Sequence, residues 1–360
     1  MNLVLAHDYL IQMGGAERVL AAVHERFPEA PIFTSAVRHE GLWPEFQSAD
    51  IRTSWMQHLP LIQHTTHFKK YVALYPLAFR SFGKIDADVA WISSSAFAKF
   101  LRFSPRTRTV CYLHNTTRFL WQTNSYLDYE VGSGALKTIV RAALPKFRAW
   151  DREAAARMDV LVANSRNVQE RIKRFYGLDS IVVHPPVETS RFNVSSEEEG
   201  YYLVVSRLLG YKNIELAVRA FTRAGRRLVV LGEGPYRAEL EALAGPTVRF
   251  CGRMTDREIC AYYSKCRALI VPGEEDFGIT PVEAMACGKP AVVLGRGGAL
   301  ETVVDGKTGV FFLEPTEDSL LDAVARCEKI SWDKAAIRTH ALLFSKEAFV
   351  EKTARLLAAQ

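Results

Sequence analysis

Two glutamates stand eight residues apart in "PGEEDFGITPVEAMACGKP", residues 272–290, directly after the apolar run "ALIV" at 268–271. The apolar run predicts a strand, so the acidic stretch leaves the end of that strand and then opens a helix. Glu275 lies in the loop, where its carboxylate can accept hydrogen bonds from sugar hydroxyls, and Glu283 lies one turn into the helix, where it can accept both hydroxyls of a ribose. Acidic residues near helix starts also complement the helix dipole, but that reading accounts only for Glu275 or Asp276.

Glycine and proline shape the same stretch. Gly273 and Gly278 allow the backbone to come close to a ligand. Pro281 suits the first turn of a helix, so the amides of residues 278–280 are expected to point outward as hydrogen-bond donors. Helix starts at the carboxyl ends of parallel strands attract anions such as phosphate.

Two basic residues stand in a similar place earlier in the chain. Arg207 and Lys212 lie in "LVVSRLLGYKN", residues 203–213, just after a predicted strand and at the start of a helix. Guanidinium and ammonium groups at such a position can clamp a diphosphate. Together with the acidic loop, they predict a site for a sugar joined to a nucleoside through a diphosphate.

A glycine pair follows the first predicted strand. Gly14 and Gly15, in "AHDYLIQMGGAERVL" (residues 6–20), precede a helix and are expected to leave backbone N–H groups uncovered for an anion. A simple tight turn explains the pair equally well. The G-x-G-x-x-G fingerprint is absent at the first strand of both halves, which argues against a dinucleotide oxidoreductase.

The elements that must position these residues alternate between short β-branched runs and helical stretches, a pattern typical of doubly wound parallel sheets. Helices are predicted at 15–27, 213–224, 236–244, 256–265, 280–287 and 316–329. Strands are predicted at 2–7, 31–35, 89–93, 108–113, 159–163, 201–206, 227–232, 247–251, 267–271, 290–294 and 308–312.

The alternation occurs twice, separated by the linker "HPPVETSRFNVSSEEEGY" at 184–201. We therefore predict two facing Rossmann-like domains, an N-terminal acceptor-binding domain at 1–185 and a C-terminal donor-binding domain at 186–343. Residues 344–360 form a predicted helix, capped by Ser345, that packs back on the first domain.

Charge divides unevenly between the halves. Residues 1–185 carry a net +7, and residues 99–174 alone carry +9. This is either an ordinary solvated face or a surface that attracts an anionic membrane. Residues 53–82, rich in aromatic residues and histidine, read equally well as a buried helix pair or as an interfacial segment. No recognisable nucleic-acid motif accompanies the charge.

Cysteine usage and hydropathy bear on the cellular location of the protein. The six cysteines form no C-x-x-C pair, the N-terminus runs straight into a strand, and no apolar run reaches about 18 residues. We expect a cytoplasmic protein, peripheral on the inner face of the cytoplasmic membrane. "DAD" (Asp86 and Asp88) simply begins a strand, and we assign it no metal.

These residues resemble a known family. "EDFGITPVEAMACGKPAVVLGRGGALETVVDGKTGVFF", residues 275–312, resembles the signature of retaining glycosyltransferase family 4, which has the GT-B architecture. The E-x7-E motif of that family falls on Glu275 and Glu283. "SRLLGYKNIELAVRAF" is similar to its diphosphate-binding segment, and "LGEGP" and "FCGRM" are similar to the segments around the nucleotide.

The first half resembles one branch of that family, the bacterial O-antigen and exopolysaccharide mannosyltransferases. The similar segments are "HDYLIQMGGAERVL", "CYLHNTTRFLW", "RAWDREAAARMDVLVANS" and "HPPVETSRF". The branch implies a GDP-mannose donor, a lipid-diphosphate-linked saccharide acceptor and a role in surface polysaccharide synthesis. Where the branch often has Thr-Pro after its histidine, this chain has Asn115-Thr116, a departure on the acceptor side.

The resemblance implies roles for individual residues. His114 faces the transferred sugar, although a lone histidine at a strand end is more often structural. Arg207 and Lys212 neutralise the leaving diphosphate, Glu275 orients the sugar, and Glu283 holds the ribose. The remaining implied donor-binding positions are the diphosphate loop at Gly14 and Gly15, the base contacts near Gly252, Arg253 and Met254, and the amides of Phe277, Gly278, Ile279 and Thr280.

The implied chemistry is metal-independent transfer with retention. The charge that develops on the leaving group is met by Arg207, Lys212 and helix N-termini, so no metal or other cofactor is expected. Because the resemblance gives Glu275 no nucleophile's position, we expect attack on the same face as the leaving group rather than double displacement. The alternatives are a UDP-sugar-dependent transferase, a nucleotide-sugar 2-epimerase and a non-catalytic sugar-nucleotide-binding protein.

Overall fold

A computed structural model describes residues 2–64, 68–121 and 135–359 of the chain. The chain forms two compact units. The first contains Met1–Pro186 and Phe349–Gln360, and the second contains Val187–Ala348.

The first unit is built on a parallel sheet. The strands are β1 Leu3–His7, β2 Ile32–Thr34, β3 Ile51–Thr53, β4 Lys84–Ile85, β5 Val89–Ser94, β6 Arg102–Phe103, β7 Arg108–Leu113, β8 Val160–Ala163 and β9 Ile181–Val182. Within the described residues the sheet has seven strands in the order β3-β2-β1-β5-β7-β8-β9, and β4 pairs with β6 in a separate ribbon. The helices are Gly15–Arg26, Tyr75–Arg80, Arg118–Trp121, Ala135–Ala156 and Arg166–Tyr176, with 3-10 turns at Pro44–Phe46, Trp55–His58, Phe68–Tyr71 and Ala98–Phe100.

Both faces of this sheet are covered, which explains why its strands are apolar along their whole length. On β1, Val4 and Ala6 pack in one cluster with the helices Tyr75–Arg80 and Arg166–Tyr176. Leu5, on the opposite face, packs in a second cluster with the helix Gly15–Arg26. The parallel register brings the last residues of β1, β5 and β7 to one edge.

The chain's last helix, Lys346–Ala358, ends in the first unit. Ser345 caps its start by accepting a hydrogen bond from the Ala348 amide at 3.2 Å, as predicted. The Phe349 ring packs edge-on against Tyr112 of β7, with 5.9 Å between ring centroids. Burial of Phe349 and Leu357 explains the apolar spacing of this segment.

The second unit is also a parallel sheet with helices on both faces. The strands are β10 Tyr202–Val205, β11 Leu228–Leu231, β12 Val248–Gly252, β13 Leu269–Val271, β14 Ala291–Leu294 and β15 Gly309–Phe312. Within the part of the chain described, these six strands run in the order β12-β11-β10-β13-β14-β15. The helices are Ile214–Arg223, Arg237–Leu243, Asp256–Lys265, Ile279–Ala286, Ala299–Thr302, Glu317–Lys329 and Lys334–Leu342, with 3-10 turns at Thr189–Arg191 and Gly210–Lys212.

All eleven predicted strands, the six predicted helices between them and the predicted C-terminal helix are present, within one or two residues at each end. The unpredicted strands β3, β4, β6 and β9 have only two or three residues, too few for a periodic pattern. In residues 53–82, Met56, Tyr75 and Phe79 are buried, whereas Trp55 and Leu77 are exposed.

Two further features bear on the predictions. Asp86 of the "DAD" stretch is exposed and pairs with Arg106, and Asp88 accepts the Asn2 amide at 2.7 Å. Among the described residues, none of the helices has the length and apolar character needed to cross a bilayer.

Candidate active site

The acidic loop leaves the end of β13 and packs against the turn that carries Lys212. A Cβ atom added to Gly273 would lie 2.5 Å from the Lys212 carbonyl oxygen, so only glycine permits this approach. Asn213, at a left-handed φ of 52°, donates from Nδ2 to the Pro272 carbonyl at 3.3 Å. The backbone itself therefore brings two segments about 60 residues apart in sequence into contact.

The contact joins two of the predicted site residues. Lys212 Nζ donates to Glu275 Oε1 at 2.6 Å and to Oε2 at 2.5 Å. Both side chains are largely shielded, at 16% and 21% exposed. The structure thus places the residue assigned to the leaving diphosphate directly beside the one assigned to the sugar.

The helix Ile279–Ala286 begins as predicted, with Pro281 in its first turn. Gly278 precedes it at a φ of +91°, a conformation that favours glycine. Phe277 is buried and its ring packs against Phe344, 5.6 Å between centroids. This anchor holds the start of the helix, where Ile279 and Thr280 are partly exposed.

Gly298 supports this loop and was missed by the sequence analysis. Its amide donates to the Glu275 carbonyl at 2.8 Å. A Cβ at this position would lie 2.3 Å from the Phe277 Cα atom. The glycine pair in "GRGGAL" was the available signal, because a close backbone approach demands glycine.

Glu283 lies in the helix with its carboxylate held by a buried phenol. Tyr263 is fully buried and donates from its hydroxyl to Glu283 Oε2 at 2.8 Å. Burial, and then the adjacent Glu283 charge, raises the pKa of Tyr263 well above its usual value. The phenol therefore stays a hydrogen-bond donor at every physiological pH, and it fixes one oxygen of Glu283.

The other predicted residues of the second unit are more open. Arg207 and Arg253 are both exposed. No carboxylate among the described residues forms an ion pair with the Arg207 guanidinium. Gly252 adopts a φ of +73° at the end of β12, and Met254 is partly buried nearby.

In the first unit, partly exposed His114 lies at the end of a chain of polar groups whose other members are buried. His114 Nε2 lies 2.7 Å from Ser93 Oγ, which lies 2.9 Å from His7 Nδ1. His7 Nε2 lies 3.6 Å from Glu17 Oε1. His7, Ser93 and Glu17 are each at least 97% buried. The sequence analysis missed these three residues. The available signal was the position of His7 and Ser93 at the ends of two predicted strands, which the structure shows to be neighbours with these two residues in register.

The glycine pair requires a correction. The Gly14 amide is not uncovered: it donates to Glu17 Oε2 at 2.9 Å, because Glu17, three residues later, folds back over the start of its own helix. The helix begins at Gly15, which is exposed. Gly14 has an extended backbone that any residue adopts.

A second buried network holds the backbone that follows His114. Lys99 Nζ lies 2.9 Å from Asp151 Oδ1, and both side chains are at most 1% exposed. The same carboxylate accepts from the Thr117 hydroxyl at 2.7 Å, Trp121 Nε1 at 2.8 Å and the Tyr176 hydroxyl at 2.7 Å. These bonds tie the segment after His114 to two helices. Residues 122–134, next along the chain, lie outside the described part.

Comparisons with known protein families account for most of the chain. The profile described as "Glycosyltransferase Family 4" matches residues 13–191. The profile described as "Glycosyl transferases group 1" matches residues 186–341. The second match contains every predicted site residue of the second unit.

Two relatives illustrate the sequence similarity. A "GDP-mannose-dependent alpha-(1-6)-phosphatidylinositol monomannoside mannosyltransferase" of Mycolicibacterium smegmatis is 28% identical over 277 residues, which cover 68% of each chain. The "O-antigen chain mannosyltransferase RfbU" of Salmonella typhimurium is 28% identical over 159 residues. That second alignment covers 41% of this chain and 45% of RfbU, less than half of either.

Solved structures confirm the predicted GT-B fold. Anabaena Alr3699/HepE, crystallised with UDP-glucose, superimposes with a TM-score of 0.73 over 99% of this chain and 100% of its own. The two sequences are only 18% identical, so this likeness concerns the fold.

Proposed function

We propose that this chain, a glycosyltransferase of GT-B fold that matches the family 4 profile and then the group 1 profile, transfers mannose from GDP-mannose to a saccharide acceptor with retention of configuration. The observation that carries the proposal is the Lys212–Glu275 pair, 2.5 Å apart at the end of β13. It unites a cation for the diphosphate with a carboxylate for the sugar hydroxyls.

The donor occupies the second unit in this proposal. Lys212 and exposed Arg207 meet the negative charge of the diphosphate, and amides near Gly278 at the start of the helix Ile279–Ala286 add donors. Glu283, fixed by Tyr263 at 2.8 Å, accepts the ribose hydroxyls. The base lies near Arg253.

The reaction is a substitution at the anomeric carbon. The acceptor hydroxyl oxygen forms a bond to that carbon while the bond to the diphosphate oxygen breaks, on the same face of the sugar. The acceptor proton passes to a phosphate oxygen of the leaving nucleoside diphosphate. Arg207 and Lys212 stabilise the charge that develops on this group, so the proposed step requires no metal.

The donor identity rests on the relatives. The mycobacterial relative is named as GDP-mannose-dependent, and so is another relative from the same organism, an alpha-mannosyltransferase 29% identical over 174 residues. A UDP-sugar donor is the alternative on the same architecture. A nucleotide-sugar 2-epimerase needs no lipid-linked acceptor, so that activity would not explain the basic and aromatic character of the first unit.

For the acceptor, we propose a lipid-linked saccharide at the inner face of the cytoplasmic membrane. The net charge of +9 in residues 99–174 supports this proposal. Exposed apolar side chains at Trp55, Leu61 and Leu77 add to it. Sedimentation with anionic but not neutral vesicles is expected; equal binding to both, or binding to neither, would contradict the electrostatic proposal.

The test of the donor is turnover and binding of GDP-mannose, UDP-glucose, UDP-N-acetylglucosamine and UDP-galactose, with and without chelator. We expect slow GDP-mannose hydrolysis that persists in chelator and is lost in Glu275→Ala. Preference for a UDP-sugar would replace the donor but keep the transferase. Binding of no sugar nucleotide would overturn the proposed donor site. Glu274→Ala, which removes the neighbouring exposed carboxylate, is the matched control.

A further inference from the structure

A group of basic side chains in the first unit has no part in the proposed donor site. Separate elements each contribute one side chain to it, so the fold and not a local motif gathers them. We call these residues the basic cluster: Arg80 at the end of the helix Tyr75–Arg80, Lys84 in β4, Arg102 in β6, and Arg157 directly after the helix Ala135–Ala156.

The ribbon of β4 and β6 places two of these side chains next to each other. Lys84 and Arg102 are register partners in this parallel pair, and register partners on neighbouring strands project to the same face, about 5 Å apart. The opposite face is apolar, since Ile85 is buried and Phe103 packs against the same core cluster. Lys84 and Arg102 therefore point to solvent, and both are exposed.

Arg80 approaches the same ribbon from the helix before it. The Gly83 amide donates to the Arg80 carbonyl oxygen at 3.2 Å, and this turn leads directly into Lys84. The Arg80 guanidinium carbon lies 5.9 Å from the centroid of the Phe100 ring, and Phe100 is two residues before Arg102. Arg80 Nε is buried and has no hydrogen-bond partner among the described residues. One donor of the cluster is thus left without an acceptor, which costs free energy.

Arg157 brings a fourth positive charge to the cluster. Its Nη1 lies 3.3 Å from Glu153 Oε1. Burial lowers the pKa of Arg157, the Glu153 charge raises this pKa, and the positive charges of Arg80 and Arg102 lower it further. Within the described part of the chain, Arg80, Lys84 and Arg102 form no ion pair. Four positive charges therefore face one carboxylate, and the excess charge repels itself.

The excess charge and the types of side chain define the class of ligand. A guanidinium donates two parallel N–H bonds to phosphate or carboxylate oxygens. A carboxylate brings one negative charge, whereas a phosphate monoester brings about two at pH 7. We propose that Arg80, Lys84, Arg102 and Arg157 form a binding site for a phosphate monoester group, carried by a soluble compound or by a lipid headgroup. The proposal does not rest on the proposed function, which assigns none of these four residues.

Two consequences separate such a site from a face that is merely solvated. An anion that binds only the folded chain stabilises it by mass action, so Tm should rise with phosphate concentration. Removal of one positive charge from the cluster relieves repulsion, so Arg102→Gln should be at least as stable as the wild type when no phosphate is present.

The first experiment is thermal unfolding of the full chain in inorganic phosphate and in sodium chloride of the same ionic strength. We expect phosphate to raise the Tm of the wild type, and we expect a smaller increase in Arg102→Gln. Arg106→Gln is the matched control, because Arg106 is an exposed arginine that already pairs with Asp86. Phosphate bound at the donor site would raise the Tm of both variants equally.

The second experiment identifies the source of the phosphate. Sedimentation with phosphatidylcholine vesicles, with and without phosphatidic acid, measures binding to a lipid phosphate. If the lipid supplies the group, Arg102→Gln should bind the anionic vesicles about fivefold more weakly than Arg106→Gln does. If a soluble compound supplies it, the two variants should differ in phosphate alone.

Equal behaviour of Arg102→Gln and Arg106→Gln in both experiments would overturn the proposal. A Tm of Arg102→Gln below that of the wild type in chloride would overturn it as well, because Arg102 would then stabilise the fold rather than bind a ligand. Absence of vesicle binding by the wild type contradicts only the membrane proposal, since the phosphate experiment then decides this site by itself.

Discussion

The ammonium of Lys212 lies between both oxygens of Glu275, at 2.6 and 2.5 Å, although 63 residues separate them. Each side chain thus neutralises the other in the absence of a ligand. A donor whose diphosphate binds Lys212 must compete with a carboxylate already in place. The pair therefore has opposite effects on the two parts of the donor. Glu275 competes with the diphosphate for Lys212, and the same carboxylate is held in place to bind the sugar hydroxyls.

Replacement of Glu275 by glutamine should separate these effects. Glu275→Gln frees the Lys212 charge, so affinity for GDP alone should rise by about fivefold, the value of ~1 kcal/mol for a partly shielded pair. Transfer from GDP-mannose should fall, because the sugar loses its carboxylate. Lys212→Met should weaken binding of both ligands. Isothermal titration calorimetry measures the affinities, with Glu274→Gln as the control; weaker GDP binding in Glu275→Gln would contradict the competition.

Tyr263 should contribute to donor affinity without any ligand contact. Tyr263→Phe removes the bond of 2.8 Å that fixes Glu283 Oε2, so the KM for the donor should rise about three- to tenfold, while kcat changes little. Tyr262→Phe is the matched control, since the Tyr262 hydroxyl donates a weak hydrogen bond to the Cys251 sulfur at 3.6 Å. Equal effects of the two substitutions on KM would exclude this role for Tyr263.

The buried pair of Lys99 and Asp151 should dominate the stability of the first unit. Asp151→Asn leaves the Lys99 charge without its counter-ion in the core, a loss of about 3–5 kcal/mol that corresponds to a fall in Tm of roughly 10 °C. The exposed pair of Asp86 and Arg106 provides the comparison, and Asp86→Asn should leave Tm nearly unchanged. Thermal unfolding monitored by circular dichroism measures both; similar Tm values for the two variants would contradict the prediction.

Acid should destabilise the fold through His24. Burial lowers the pKa of His24 below its usual value of 6.5, against a smaller opposite effect of Glu25. Its Nδ1 is buried and has no hydrogen-bond partner among the described residues. The unfolded chain takes up this proton below about pH 6.5 while the folded chain resists it, so stability falls as pH falls below that value.

His24→Phe removes the titrating group and keeps the stacking on Phe46, whose ring centroid lies 6.1 Å away. The drop in Tm between pH 7.5 and pH 5.5 should therefore be smaller in this variant than in the wild type. His39→Gln, at an exposed histidine, should leave the drop unchanged. If Tm fell by as much in His24→Phe as in the wild type, groups other than His24 would be responsible for the acid sensitivity.

The sequence by itself determined the fold class and the main strands, because hydrophobic periodicity and glycine or proline punctuation are local properties. It also located the acidic loop and the helix behind it, since Gly278 and Pro281 act within a few residues. Very short strands such as β9, and supporting residues such as Gly298 and Tyr263, stayed unpredicted because their requirement comes from distant neighbours.

Only the tertiary structure decided which groups meet. Sheet register brings His7 beside Ser93, and Ser93 Oγ lies 2.7 Å from His114 Nε2. The Gly14 amide, which the sequence predicted to be uncovered, donates a hydrogen bond to Glu17. Lys212 and Glu275 were each predicted from their own loop, but their ion pair depends on a backbone contact at Gly273. Such contacts form because the crossover connections place the carboxyl ends of parallel strands side by side. A local sequence pattern does not determine which strands become neighbours.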